Sequence, residues 1–143
     1  MKRMVLISAL AAAGLLATAS AAVPATHRNG DLHVTKECSQ YDGKAGAFCT
    51  ITSSNISAIK PGMRVVYLQP QAADGSLDSD LVLSLEHGSA AYGHVLLDAT
   101  TAHLTFSGGT GKFGAFEADV AVSVDSKGIW HWDGTYSFSR DDD

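Results

Sequence analysis

His94, His103 and His131 lie in stretches where apolar and polar residues alternate, and imidazole is a good ligand for zinc or copper. Their spacing matches no metal-binding pattern, and by parity each falls opposite the main apolar set. Solvent or a subunit contact is therefore the expectation, with no metal. His87 beside Asp78, Asp80 or Glu86 has the residue types for acid–base chemistry at the mouth of a barrel, against the plainer reading of a solvated loop. Ser107 or Ser137 can be drawn into a triad with a His and an Asp. No Gly-x-Ser-x-Gly elbow is present to activate either one.

Cys38 and Cys49 are the two cysteines. They are not spaced Cys-x-x-Cys, and no second ligand pair accompanies them. A disulfide is the expected state, closing a loop that contributes on the order of 3 kcal/mol in the chain-entropy model. The aromatic residues Trp130, Trp132 and Tyr136, with Tyr67, Phe106 and Phe116, are the candidate lining of an apolar pocket. The competing reading is that the same rings simply fill the interior, as small eight-stranded barrels require.

The elements that hold these residues are strands. Along residues 116–125, Phe116, Ala118, Val120, Val122 and Val124 alternate with Glu117, Asp119, Ala121, Ser123 and Asp125. Residues 80–86 alternate as cleanly, with Leu81, Leu83 and Leu85 on one side. Further strands are expected over 31–37, 48–53, 63–69, 91–98, 101–106 and 130–138, separated by turn signals such as Lys60-Pro61-Gly62 and Asp125-Ser126-Lys127-Gly128. Tyr92, His94 and Leu96 give the 91–98 strand a second, partly apolar face, which hints at a subunit contact. No helix is expected in the mature chain. Consecutive hairpins of this kind predict an all-β, eight-stranded antiparallel up-and-down barrel. Glu117 and Asp119 on the outer face of the best strand exclude a lipid-facing barrel.

Gly108, Gly109, Thr110 and Gly111 form the glycine-rich connection between two of these strands. A phosphate loop is excluded, because Phe113 follows Lys112 where Ser or Thr is needed and a strand follows where a helix is needed.

Of 143 residues, the first 21 read as a signal peptide: Lys2 and Arg3, an apolar run, then Ala19-Ser20-Ala21. Residues 22–30 read as a flexible leader, 31–139 as the barrel domain and 140–143 as an acidic tail. The expected location is the periplasm or the medium. The formal charge is −5 with the signal and about −7 without Lys2 and Arg3, which excludes a basic surface for nucleic acid.

Entered and left by alternating strands, Gly108-Gly109-Thr110-Gly111-Lys112-Phe113 resembles the glycine turn of the allene oxide cyclase and dirigent barrel superfamily. The resemblance covers about residues 79–138. It implies an eight-stranded barrel, often a homotrimer, with an apolar lumen that binds small hydrophobic molecules. The Ala-Arg-Gly that continues the motif in dirigent proteins is replaced here by Phe116-Glu117-Ala118, so no catalytic residue carries over. The resulting expectation is an exported barrel binding a small hydrophobic ligand without catalysis and without a cofactor. A cofactor-free isomerase or cyclase is the first alternative, and a structural module for a protein partner the second.

Overall fold

The computed structural model describes residues 27–85 and 88–139. The expected signal peptide, the acidic tail, and Glu86 and His87 of the expected acid–base loop lie outside them. Eight strands follow one another: β1 (His27–Glu37), β2 (Phe48–Ser54), β3 (Arg64–Tyr67), β4 (Leu77–Ser84), β5 (Ala90–Leu97), β6 (Ala102–Gly109), β7 (Phe116–Val124) and β8 (Trp130–Ser139). Each consecutive pair is antiparallel, and the sheet closes on itself. This is the up-and-down barrel that the alternation predicts, and closure removes the exposed edges an open sheet would leave. The compact unit is Asn29–Phe138.

Period-two burial follows the sequence pattern along the body of the strands. Leu85 and Val124, expected inward, are exposed, because Leu85 lies past the end of β4 and Val124 is the last residue of β7. In β7, Phe116, Ala118, Val120 and Val122 are buried while Glu117, Asp119, Ala121 and Ser123 are exposed. In β5 the order is the expected one, with Ala91 and Val95 inside and Tyr92, His94 and Leu96 outside. Several strand boundaries differ from expectation, and β3 is only Arg64–Tyr67 where 63–69 is expected. β4 begins at Leu77 because Leu77 and the fully buried Ser79 continue the inward row below Leu81. β1 begins at His27, ahead of the Asp31 start.

The glycine stretch is longer than a two-residue hairpin. β6 runs to Gly109, and a single 3-10 turn, Gly111–Phe113, precedes β7. Ala91 pairs with Gly109 and Gly93 with Phe106, so β6 carries one extra residue, a bulge, at Ser107–Gly108. Gly108 has φ +98, which a side chain resists. At Gly109 a Cβ would overlap the Ala90 carbonyl oxygen, and there Thr110 N donates to the same oxygen at 2.7 Å. The turn thereby drives Phe113, which has no exposed surface, into one end of the barrel.

That end is solid. Phe113, Phe116, Phe106 and Phe138 stack ring against ring, with centroids 4.8–5.4 Å apart for Phe116 against each of the others. Ile56, Ile59 and Met63, from the β2–β3 connection, complete the plug. A surface recess of about 260 Å³ lies over this plug, against Met63, Lys112 and Phe113. The opposite end is where β1 finishes and β2, β4 and β8 start.

Candidate functional site

β1 alternates as every other strand does. Leu32 and Val34 point inward, and the next inward position is Lys36. A bulge on β2 fixes this register: Thr35 pairs with Ser53 and Lys36 with Ile51, leaving Thr52 as the extra residue. Outside the barrel, Thr35 Oγ1 holds both Thr52 Oγ1 at 2.7 Å and Ser53 Oγ at 2.5 Å. Inside, Lys36 retains only 5% of its exposure.

Three rings and two sulfurs surround its amine. Lys36 Nζ donates to Tyr67 Oη at 2.6 Å and lies 3.6 Å from Cys38 Sγ and 3.7 Å from Cys49 Sγ. Those sulfurs are joined in the Cys38–Cys49 disulfide, which spans eleven positions and ties the end of β1 to the start of β2. Nζ also lies 5.3 Å from the Tyr67 ring centroid, 5.2 Å from that of Trp130 and 5.8 Å from that of Trp132. Ring faces at this range partly compensate a desolvated ammonium. Among the described residues no carboxylate pairs with Lys36. Burial therefore dominates and pulls the amine from its ordinary 10.5 down to about 7. The same burial pushes the Tyr67 phenol well above its ordinary range, with the Tyr41 phenol adding to the effect, so Tyr67 stays protonated.

Above Lys36 the interior opens. A chamber of about 60 Å³ is lined by Lys36, the two cysteines, Tyr41, Tyr67, Leu77, Leu97 and Trp130. Tyr41, Leu77, Leu97 and Trp130 also line a cleft of about 400 Å³ at this mouth, together with Gln71, Asp74, Ser76 and Asp98 from the surrounding loops. These four shared residues set the cleft directly beside the chamber. Tyr41 stands edge-on to Tyr67, with centroids 5.4 Å apart. Its hydroxyl oxygen is buried without a hydrogen-bond partner. Burial, then the nearby Asp42 charge, hold this phenol above its usual range as well. The site thus offers one amine and two phenols in a chamber whose other walls are Leu77, Leu97, Trp130 and the disulfide, a form that suits an apolar molecule with one polar end.

The six aromatic residues expected to line a pocket are divided between the two ends. Tyr67 and Trp130 line the chamber, and Trp132, 1% exposed, lies beneath it, packed on Phe106 at 5.7 Å. Phe106 and Phe116 belong to the solid end. Tyr136 is half-buried against Phe138 and borders a shallow recess with Glu117, Asp119 and Thr135. Sequence reasoning missed Lys36, Tyr41, Leu77 and Leu97. For Lys36 the signal was present: it continues the Leu32, Val34 row, and a charged residue in an inward row is the informative exception.

His33, His94, His103 and His131 lie outside. His94 bridges Asp78 at 2.6 Å and Asp80 at 2.9 Å, both on β4. His131 meets Asp125 at 2.9 Å, His103 lies 3.5 Å from Asp119, and His33 meets Asp133 at 2.8 Å across the seam between β1 and β8. Among the described residues, no group of three His, Cys, Asp or Glu side chains is placed to hold a metal ion. No described helix is long and apolar enough to cross a membrane.

Fold and site together define an eight-stranded antiparallel barrel with one plugged end and one open end, the open end holding a buried amine. No family model, curated protein or solved structure matches the chain.

Proposed function

We propose that this barrel is a receptor for one small, mostly apolar molecule, bound without catalysis through the open end. The observation that carries the reading is Lys36 in the wall of that chamber, hydrogen-bonded to Tyr67 and without a carboxylate partner among the described residues. A lysine serving stability alone would be disfavoured here, because an apolar side chain of similar volume avoids the cost of desolvating the charge. The guest's apolar part occupies the cleft between Leu77, Leu97 and Trp130, and its polar end meets Lys36 and the tyrosines. The Cys38–Cys49 disulfide beside the site fits the oxidising compartment that the expected signal peptide implies.

The test is tryptophan fluorescence during titration with a panel of short-chain alcohols and phenols, on the wild type and on Leu97→Trp, which fills the chamber. A saturable change in the wild type that Leu97→Trp abolishes supports the reading. The absence of any saturable change across the panel overturns it. Native mass spectrometry of protein released unrefolded from its source then identifies the resident guest.

A further inference from the structure

We infer that Lys36 is a covalent docking residue, forming a reversible imine with a small apolar aldehyde that enters through the open end. This rests on the receptor reading above and narrows the guest to a carbonyl compound.

Three features of the chamber lead to it. The first is the state of the nitrogen. An amine is nucleophilic only when its lone pair is free, and lysines become so when an apolar pocket desolvates the ammonium. Lys36 is enclosed by Tyr67, Trp130, Trp132 and the disulfide sulfurs, with no described carboxylate to hold its proton. A guest arriving as an anion would have to be desolvated into the same apolar chamber, whereas an aldehyde carries no charge into it.

The second is size. The chamber of about 60 Å³ admits a small head group and little more, while the cleft of about 400 Å³ above it has room for an alkyl or aryl tail. An aldehyde carbon with one hydrogen is the least bulky carbonyl group that carries a tail.

The third is the presence of proton donors. Tyr67 Oη is within hydrogen-bond reach of Nζ at 2.6 Å and remains protonated. The Tyr41 hydroxyl, buried and unpartnered, belongs to the same chamber wall. These are the groups a carbonyl oxygen needs as charge develops on it.

The step balances within these reactants. The neutral Nζ adds to the carbonyl carbon, forming a C–N bond, and a proton passes from nitrogen to the former carbonyl oxygen to give the carbinolamine. Protonation of that hydroxyl, with Tyr67 as donor, lets the C–O bond break. Water leaves as the nitrogen lone pair closes the C=N bond, and the iminium returns its N–H proton to the Tyr67 oxygen, leaving a neutral imine and a neutral phenol. One amine and one aldehyde give one imine and one water, with no oxidant or reductant consumed. Hydrolysis runs the same steps backward, so the docking is reversible.

The experiment treats the full, disulfide-intact protein with hexanal near neutral pH in the presence of cyanoborohydride, which traps the imine as a secondary amine. Peptide mass spectrometry then locates the hexyl group. Lys44, Lys60, Lys112 and Lys127 are all exposed and serve as internal references. Lys36 is expected to be alkylated at least about tenfold faster than any of these. 1-Hexanol, which cannot form an imine, is expected to slow that reaction by competition. Tyr67→Phe is expected to bind 1-hexanol as the wild type does but to trap hexanal more slowly. Alkylation spread over the exposed lysines with Lys36 untouched overturns the imine. If 1-hexanol still binds in that case, the receptor reading survives and only the covalent step is lost. If hexanoate binds more tightly than 1-hexanol and Lys36 is not alkylated, the amine is an ion-pairing group instead. If neither hexanal nor 1-hexanol engages the site, both readings fall.

Discussion

Lys36 Nζ and Tyr67 Oη lie 2.6 Å apart inside the barrel, and the hydrogen bond between them joins β1 to β3 across the open end. Because the two strands are not sheet neighbours, this contact crosses the lumen rather than following the ladder. Burial weakens the proton's hold on Lys36 and strengthens it on Tyr67, so the pair is most stable as amine and phenol.

That relationship sets a pH dependence of the same sign as an acid-labile carboxylate, displaced to the alkaline side of neutrality. Lys36 falls from 10.5 in the unfolded chain to about 7 in the fold. Between those values the unfolded chain holds a proton that the folded chain has released, so stability rises with pH through this window. Below about pH 7 both states are protonated, and the full cost of the buried charge is felt. Lys36→Met removes the group and most of the dependence. Urea unfolding is expected to show the variant more stable than the wild type at about pH 6, by on the order of 2 kcal/mol after allowing for the unpaired Tyr67 hydroxyl. The gap should narrow by a similar amount toward about pH 9, at about 1.4 kcal/mol for each unit of pKa difference expressed. A variant less stable than the wild type at both pH values would mean that the ring faces and Tyr67 fully compensate the charge.

The glycine stretch makes a prediction about space as well as backbone angle. Gly109 and Gly128 both become alanine in the comparison. At Gly128, φ is +84 but nothing lies within 4 Å of a new Cβ, so Gly128→Ala meets only the backbone strain, about 1 kcal/mol. At Gly109 the new Cβ overlaps the Ala90 carbonyl, which is backbone and cannot step aside. Gly109→Ala is expected to cost more than about 2 kcal/mol and to loosen the β5–β6 pairing at Ala91. Hydrogen exchange of the Thr110 amide, which donates to that same carbonyl, reads the effect directly. Equal destabilisation by the two substitutions would show that backbone angle alone accounts for the motif.

How much of this was legible in the sequence follows from where period-two alternation carries information. β7 and β8 could be read almost residue by residue, because one face is apolar and the other mostly charged or polar. The closed barrel followed from consecutive hairpins. The disulfide followed from two cysteines in a chain with an apparent export signal. The site was harder. Aromatic residues at inward positions all look alike in sequence, and only the threading of Phe113 into one end separates Phe106 and Phe116 from Tyr67 and Trp130. Tyr41 lies in a loop whose path is set by Tyr41 N donating to Cys38 O at 3.0 Å and by the disulfide, neither of which leaves a periodic trace. Lys36 was legible in its position and overlooked for its charge. A lysine ordinarily marks the wet face of a strand, and here the row from Leu32 through Val34 outweighs that expectation.

His94 on the outer wall responds to pH in the direction opposite to Lys36. His94 receives Asp80 on one ring nitrogen and Asp78 on the other, and the Asp80 hydrogen bond, ahead of the Asp78 contacts, raises its pKa above 6.5. The folded value is the higher one. The contribution to stability is therefore complete below 6.5, provided both aspartates remain ionised, and is lost as pH climbs through the folded value. With about half of the His94 side chain open to solvent, screening keeps the contribution below about 1 kcal/mol. A proton NMR titration of the histidine ring signals is expected to give His94 the higher midpoint relative to the Asp78→Asn, Asp80→Asn double variant, and added salt should shrink the difference. Wild type and His94→Gln should differ in stability at about pH 5.5 and converge by about pH 8.5. A His94 midpoint unchanged by loss of both carboxylates would show that the β4–β5 wall is held by its ladder and inward leucines alone.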